Sequence, residues 1–206
     1  MIAIIDYDAG NLKSVEKALQ HLGQECMITG KAEEILSADK VILPGVGSFG
    51  DAMSNIRRLG LEEVIKEVAA KGTPFLGICL GLQLLFESSD ETPGVEGLGI
   101  LKGKIVRIPD CEGLKIPHVG WNSLKLQNNG RLFAGLGEEP YVYFVHSYYL
   151  EAEDEQIVKA TTDYSTCIHA SVESGNVFAC QFHPEKSSTV GLKILENFTN
   201  IQGGDC

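Results

Sequence analysis

Three side chains in this sequence have the types and the setting for nucleophilic catalysis. Cys79 lies in Gly77-Ile78-Cys79-Leu80-Gly81, a G-x-C-x-G segment between the apolar run Phe75 to Ile78 and the helix-forming stretch Leu80 to Phe86. A strand-turn-helix junction of this form is a nucleophile elbow. Its central residue is strained, and side chains two positions to either side would collide with it or its neighbours. The junction sets the sulfur at a helix start, where the dipole favours thiolate over thiol and the Leu80 N–H can meet a developing oxyanion. Far downstream, Val177 to Phe182 leads into His183-Pro184-Glu185. Pro184 biases His183 toward extended backbone, and alternate residues of an extended chain face the same way. His183 can then take the thiol proton while Glu185 fixes its tautomer and stabilises the imidazolium. Taken singly, each part has a plainer reading: a cysteine buried between packing glycines, or a structural histidine at a strand end. The combination is what points to chemistry.

Such residues need a scaffold that holds a strand end beside a helix start. Apolar runs at Ile2 to Ile5, Val41 to Leu43 and Phe75 to Ile78 predict short buried strands, the second stopped by Pro44-Gly45. Between them, Leu12, Val15, Leu19 and Leu22, closed by Gly23, and then Leu61, Val64, Ile65 and Val68, recur at helical spacing. Strands this apolar, alternating with helices, imply a parallel sheet covered on both faces. The second half differs. Lys104 to Ile108, Trp121 to Leu126, Tyr141 to Val145, Ile157 to Thr161, Cys167 to Val172 and Val177 to Phe182 read as short strands with mixed or antiparallel pairing. A last helix is expected over Thr189 to Phe198, and a frayed tail over Gly203-Gly204-Asp205-Cys206. With no linker or repeat in view, a single α/β domain over residues 1–206 is expected.

Bulk properties narrow the class. The 206 residues suffice for one domain with a real core, and 44% hydrophobic with 22% charged residues is ordinary for a globular chain. The net charge of -11 and the lack of any Lys/Arg cluster argue against nucleic-acid partners. None of the six cysteines forms a C-x-x-C pair, which argues against a zinc site or a thioredoxin-like motif. No metal or organic cofactor is suggested. The start Met1-Ile2-Ala3-Ile4-Ile5-Asp6 lacks the form of a signal peptide, and no apolar stretch reaches the roughly 18 residues of a membrane span. A cytoplasmic place with free thiols is the expectation.

The elbow together with H-P-E resembles the class I glutamine amidotransferases, the triad-type glutaminase domains, over nearly the whole chain. Further segments narrow the resemblance. They are Ile5-Asp6-Tyr7-Asp8-Ala9-Gly10-Asn11-Leu12, Leu43-Pro44-Gly45-Val46-Gly47-Ser48-Phe49, Ile116-Pro117-His118-Val119-Gly120-Trp121-Asn122, Tyr143-Phe144-Val145-His146-Ser147-Tyr148 and Gln181 to Ser188. This set is similar to the glutaminase subunits of imidazole glycerol phosphate synthases, of histidine biosynthesis. The resemblance implies a flavodoxin-like fold with a mostly parallel central sheet, flanked by helices, with extra antiparallel strands in the C-terminal half. It implies glutamine hydrolysis through a Cys79 thioester with His183 and Glu185, and an obligatory (β/α)8 barrel cyclase partner, in a heterodimer, that receives the ammonia. It also implies an oxyanion hole from the Val46 and Leu80 N–H groups. A glycine-flanked peptide such as that at Val46 can flip, and if its N–H points away until the partner binds its ligand, the glutaminase is off by default. Gly47, Gln83, Ser147 and Tyr148 match glutamine-binding positions. Asn11, Trp121, Asn122, Tyr141, Tyr143 and Lys186 match the partner-facing surface.

Two departures stand out: Asp8 where glycine is common, and Ala179-Cys180 in place of a glycine-containing pair. Neither touches the triad. Three other readings compete: a glutaminase serving another synthase, a catalytically dead regulatory subunit, and a stand-alone cysteine peptidase of similar topology. The P-H-V-G-W-N segment argues against the first, the intact Cys79, His183 and Glu185 against the second, and Val145-His146-Ser147-Tyr148 against the third.

Overall fold

Runs without polar side chains become the middle of the sheet. In a computed structural model, which describes residues 1–204, the first half alternates strand and helix: β1 (Ile2–Ile5), α1 (Leu12–His21), β2 (Cys26–Thr29), α2 (Ala32–Leu36), β3 (Lys40–Gly45), α3 (Phe49–Arg58), α4 (Glu62–Ala70), β4 (Phe75–Cys79) and α5 (Leu80–Leu84). Mostly strands follow: β5 (Ser88–Ser89), β6 (Gly103–Arg107), β7 (His118–Ser123), β8 (Lys125–Leu126), β9 (Tyr141–His146), β10 (Tyr148–Ala152), β11 (Val158–Tyr164), β12 (Thr166–Ser174) and β13 (Val177–Cys180), before the closing helix α6 (Ser188–Thr199).

The main sheet runs β2-β1-β3-β4-β13-β12-β10-β6-β5, with β11 and β8 extending from β12. From β2 to β13 every pairing is parallel, and from β13 to β6 every pairing is antiparallel. The parallel part is covered on both faces, as its all-apolar strands require. One face packs Ile4, Ile42, Leu76 and Phe178 against Val15 and Leu19 of α1 and Ile194, Leu195 and Phe198 of α6. The other packs Ile5, Val41, Leu43 and Phe75 against Ile35, Met53, Ile56 and Ile65 of α2, α3 and α4. A separate ribbon, β7 with β9, stands beside this sheet.

The structure departs from the sequence expectations at several places. β3 continues through Pro44 to Gly45, which pair with Ile78 and Cys79. A proline can stay in a strand where its missing N–H is not called on, and the Tyr7 hydroxyl donates to the Pro44 carbonyl at 2.9 Å. The helix after Cys79 is a single turn and a half, ending at Leu84 rather than Phe86. The run Trp121 to Leu126 is two strands: β7 pairs with β9, β8 with β11, and Leu124 is buried between them. β13 stops at Cys180, short of Phe182. β2, α2, α3, β5 and β10 are additional to the elements expected from the sequence. Asp205 and Cys206 of the expected tail lie outside the described residues.

Candidate active site

β3, β4 and β13 are parallel neighbours, so their C-terminal ends open at one edge of the sheet, where open α/β folds place their ligands. Cys79 ends β4 there, with φ 56° and ψ -109°, a conformation that a side-chain-bearing residue adopts only under constraint. The glycines around it are spatial necessities. A Cβ on Gly81 would lie 1.8 Å from the Leu43 carbonyl oxygen of β3, and one on Gly77 would lie 2.7 Å from the Gly81 carbonyl oxygen. The elbow is therefore wedged between its own strand and the next. α5 has five residues, so the field at the sulfur comes from a few first-turn N–H groups rather than from a long helix dipole.

His183 follows β13 and is wholly buried. Its N–H donates to the Tyr143 carbonyl at 2.9 Å, and its carbonyl accepts from Ser187 Oγ at 2.6 Å. Its Nδ1 lies 2.8 Å from Glu185 Oε1, with both side chains shut away from solvent. Its Nε2 is buried without another hydrogen-bond partner, which leaves that atom for the thiol. Burial alone would push the imidazole down; the Cys79 thiol beside it and the Glu185 carboxylate outweigh this and raise it to about 9. A histidine so held stays protonated at neutral pH beside the Cys79 sulfur. The arrangement is that of a Cys-His-Glu triad.

Val46, Gly47, Leu80, Gln83, Ser147, Tyr148, Cys79 and His183 line one cleft of about 300 Å³. A larger groove of about 690 Å³ lies at the opposite, N-terminal edge of the strands, around Met1, Lys40 and Thr73, away from any of these residues. In the cleft, Gln83 Nε2 donates to the Tyr148 carbonyl at 3.0 Å and to Gln181 Oε1 at 3.1 Å. Gln181 Nε2 in turn lies 3.7 Å from Cys79 Sγ. Across the cleft, a Cβ on Gly45 would come within 2.3 Å of the Tyr7 hydroxyl and 3.0 Å of Leu80 Cβ, so β3 ends tight against the elbow. Beyond Gly45 the chain loosens. Val46 is 40% exposed, and Gly47 takes φ 104° with open space on its Cβ side.

The residues matched to a partner-facing surface divide. Period-two alternation puts Val119, Trp121, Tyr141, Tyr143 and Val145 on one face of the β7–β9 ribbon. Trp121 and Tyr141 are 53% and 57% exposed, a large apolar surface beside the cleft. Asn122 lies on the other face, where its amide donates to the Asp163 carbonyl at 3.1 Å. Asn11, with φ 71°, turns its amide inward to Glu185 Oε1 at 2.6 Å. Lys186 is exposed on the turn that follows Glu185. The charge of Asp8 is met by Arg58 of α3, and burial pushes the Cys180 thiol well up, which leaves it unreactive.

Sequence reasoning gave no role to Gln181, Glu91, His118 or His146. Glu91 is the one acidic side chain among the residues lining the cleft, and it accepts from the Phe49 N–H at 2.8 Å. Only its position downstream of the elbow could have hinted at that. His118 and His146 sat inside the quoted motifs but carried no local sign of their pairing, which the β7–β9 register creates.

Comparison with known proteins agrees with this geometry. The family model described as glutamine amidotransferase class-I matches residues 3–201. The imidazole glycerol phosphate synthase subunit HisH of Moorella thermoacetica is 51% identical over 200 residues, covering 97% of this chain and 94% of that one. The Methanocaldococcus jannaschii protein of the same name is 49% identical over 98% of this chain and 100% of its own. That of Bacillus subtilis is 50% identical over 98% and 96%. Among solved structures, PurLQS from Thermotoga maritima superposes with a TM-score of 0.75 at 25% identity, over 97% of each chain. A glutamine amidotransferase crystal structure gives 0.75 at 22% identity, over 97% and 100%, a likeness of fold. No helix among the described residues is long and apolar enough to cross a membrane.

Proposed function

Because this chain belongs to the class I glutamine amidotransferase family, we propose that it is a glutaminase acting as one domain over residues 1–206, which releases ammonia from glutamine for a synthase that makes imidazole glycerol phosphate. The observation that carries this reading is the buried His183–Glu185 pair beside a strained Cys79, at the edge of a cleft the size of a small amino acid.

Cys79, its thiol proton already held by His183, attacks the side-chain amide carbon of glutamine, and the imidazolium gives that proton to the departing ammonia. The charge that develops on the amide oxygen is met by the Leu80 N–H and by the Val46 N–H. Water, deprotonated by His183, then hydrolyses the glutamyl thioester to glutamate. Glu185 holds the imidazole tautomer and stabilises its charged form. Gly47, Gln83, Ser147 and Tyr148 bind the rest of the glutamine.

The partner is a (β/α)8 barrel cyclase that docks over the exposed Val119, Trp121 and Tyr141 face, with Asn11, Asn122, Tyr143 and Lys186 at or behind the contact. Ammonia freed into water would be protonated and lose its nucleophilicity, so a sealed transfer between the subunits follows. The cyclase uses the ammonia to form imidazole glycerol phosphate and aminoimidazole carboxamide ribotide. The complex works in the cytoplasm, a reading supported by its relatives' biosynthetic names and by the free cysteines among the described residues. The positive φ and open surroundings of Gly47 support a Val46 N–H that points into the hole only when the liganded cyclase is bound.

Glutamate release from glutamine, by the chain alone and with a liganded barrel cyclase, tests the whole reading. Strong stimulation by the liganded partner is expected. Full activity without a partner would remove the switch and keep the glutaminase. No glutamate from any mixture of folded proteins would sink the assignment.

A further inference from the structure

Two buried histidines in the motif segments take no part in the triad. His146 ends β9, lines the cleft and is 6% exposed; His118 starts β7 and is 3% exposed. The β7–β9 register sets them directly opposite each other. His146 Nδ1 lies 2.9 Å from the Tyr148 carbonyl, and His146 Nε2 lies 3.0 Å from His118 Nδ1. Neither meets a carboxylate among the described residues, and His118 is clamped between the rings of Phe144 and Tyr164, at centroid distances of 4.7 and 3.9 Å. We propose that His146 and His118 are positioning residues for glutamine: a chain of two neutral imidazoles that fastens the Tyr148 carbonyl and, through it, fixes which way the Gln83 amide faces the substrate.

The proton order follows from the acceptors. A carbonyl can only accept, so His146 carries its proton on Nδ1 and presents a lone pair on Nε2. His118 must then carry its proton on Nδ1 and donate to that lone pair. Its own Nε2 is left as acceptor, toward Asn122 Nδ2 at 3.5 Å. Burial pushes His118 down to about 4 and His146 to about 3, so both stay neutral, as the chain requires. The Tyr148 carbonyl also accepts from Gln83 Nε2, whose second hydrogen goes to Gln181 Oε1. With both N–H groups of Gln83 committed, only its Oε1 acceptor is left for the cleft. A substrate N–H donor is thereby preferred over an acceptor at that point. Ser147 lies between β9 and β10, where the chain leaves the ribbon for the main sheet, and the His146–Tyr148 bond fastens that bend. Release of the carbonyl would free the Gln83 amide to flip and present the wrong group.

This inference rests on the glutaminase reading, and one experiment separates the two. The side-chain amide of Asn branches where ring Nδ1 does, and that of Gln reaches where ring Nε2 does. His146→Asn therefore keeps a donor for Tyr148, whereas His146→Gln keeps only the contact with His118. Glutamate release is measured in the complex with a liganded cyclase. His146→Gln is expected to raise KM for glutamine about ten-fold, more than it lowers kcat, while His146→Asn brings KM back to within about three-fold of wild type. Equal KM values in the two variants, at whatever level, overturn the proposal. Should position 146 not tolerate substitution, His118→Asn against His118→Gln reads the same difference, since His118 also donates from Nδ1. A wild-type complex that forms no glutamate fails the glutaminase reading itself.

Discussion

The two walls of the cleft are built in opposite ways. On one side, the Cys79 elbow is locked from every direction. Gly81 abuts the Leu43 carbonyl, Gly77 abuts Gly81, and His183 is pinned by Tyr143, Ser187 and Glu185. On the other side, the strand ends hard at Gly45 under the Tyr7 hydroxyl, and the next two residues are exposed, with open space on the Cβ side of Gly47. A nucleophile and base need fixed geometry, because misplacement by a fraction of an ångström reduces rate. An N–H that serves only the developing oxyanion can be left adjustable, and under the proposed function adjustment there would turn catalysis on or off without disturbing the triad.

The largest effect expected lies on the fixed wall. Cys79→Ala should lower glutamine-dependent synthesis by about 10,000-fold or more, while synthesis from added ammonia continues in the same complex. Loss of both together would make Cys79 structural. Glu185→Gln comes next, with a fall of about 100-fold or more in kcat, because it removes the charge that holds His183 protonated. The sign with pH is definite. His183 is raised above its ordinary value near 6.5 to about 9, so its pairing stabilises the fold fully below pH about 6.5 and that contribution fades as pH rises through about 9. Urea unfolding of wild type and Glu185→Gln should therefore differ most at about pH 6, less at neutral pH, and converge above pH about 9. A gap that widens with pH would contradict the pairing.

Glycines sharpen the contrast. Gly81→Ala forces a methyl onto a backbone oxygen that cannot move without breaking β3, so a loss of about 3 kcal/mol in stability, or failure to fold, is expected. Gly47→Ala meets nothing within 4 Å and is opposed only by its φ of 104°, a strain of about 1–2 kcal/mol that the loop can relieve by turning. It should leave the melting temperature within a few degrees of wild type. What should change, by several-fold, is the ratio of partner-stimulated to basal glutaminase activity. If Gly47→Ala instead unfolds the protein as Gly81→Ala does, the two walls are equally rigid and the comparison fails.

The fixed wall was also the more legible one. Ile2 to Ile5, Val41 to Leu43 and Phe75 to Ile78 announce themselves because strands buried on both faces have no room for polar residues. The elbow glycines are visible for the same reason, since close approach admits nothing larger. What escaped notice was set by partners remote in sequence. β10 follows β9 after one residue, Ser147, with no turn signal, because the chain merely exchanges β7 for β6 as its neighbour. α3 had a readable pattern in Phe49, Ala52, Met53 and Ile56, capped by Ser48, but Gly50 and the preceding loop concealed it. Asn122 adjoins Trp121 in sequence and faces the opposite way in the ribbon. The inward amide of Asn11 depends on an αL backbone at its own position and on Glu185 at the far end of the chain.

Lys186 tests where the fixed wall meets the partner. It directly follows the triad glutamate, is exposed, and forms no ion pair among the described residues. A charge left free beside so constrained a turn is available to a carboxylate on another subunit. Lys186→Ala should leave the melting curve of the isolated chain unchanged, because an unpaired exposed side chain contributes little to stability. Affinity for a barrel cyclase should fall by about three- to ten-fold, and the loss should shrink as salt is raised, since a pair at the rim of an interface is screened. Unchanged affinity together with unchanged coupling would remove Lys186 from the docking surface. An equal loss at low and high salt would point instead to contacts made by its alkyl chain.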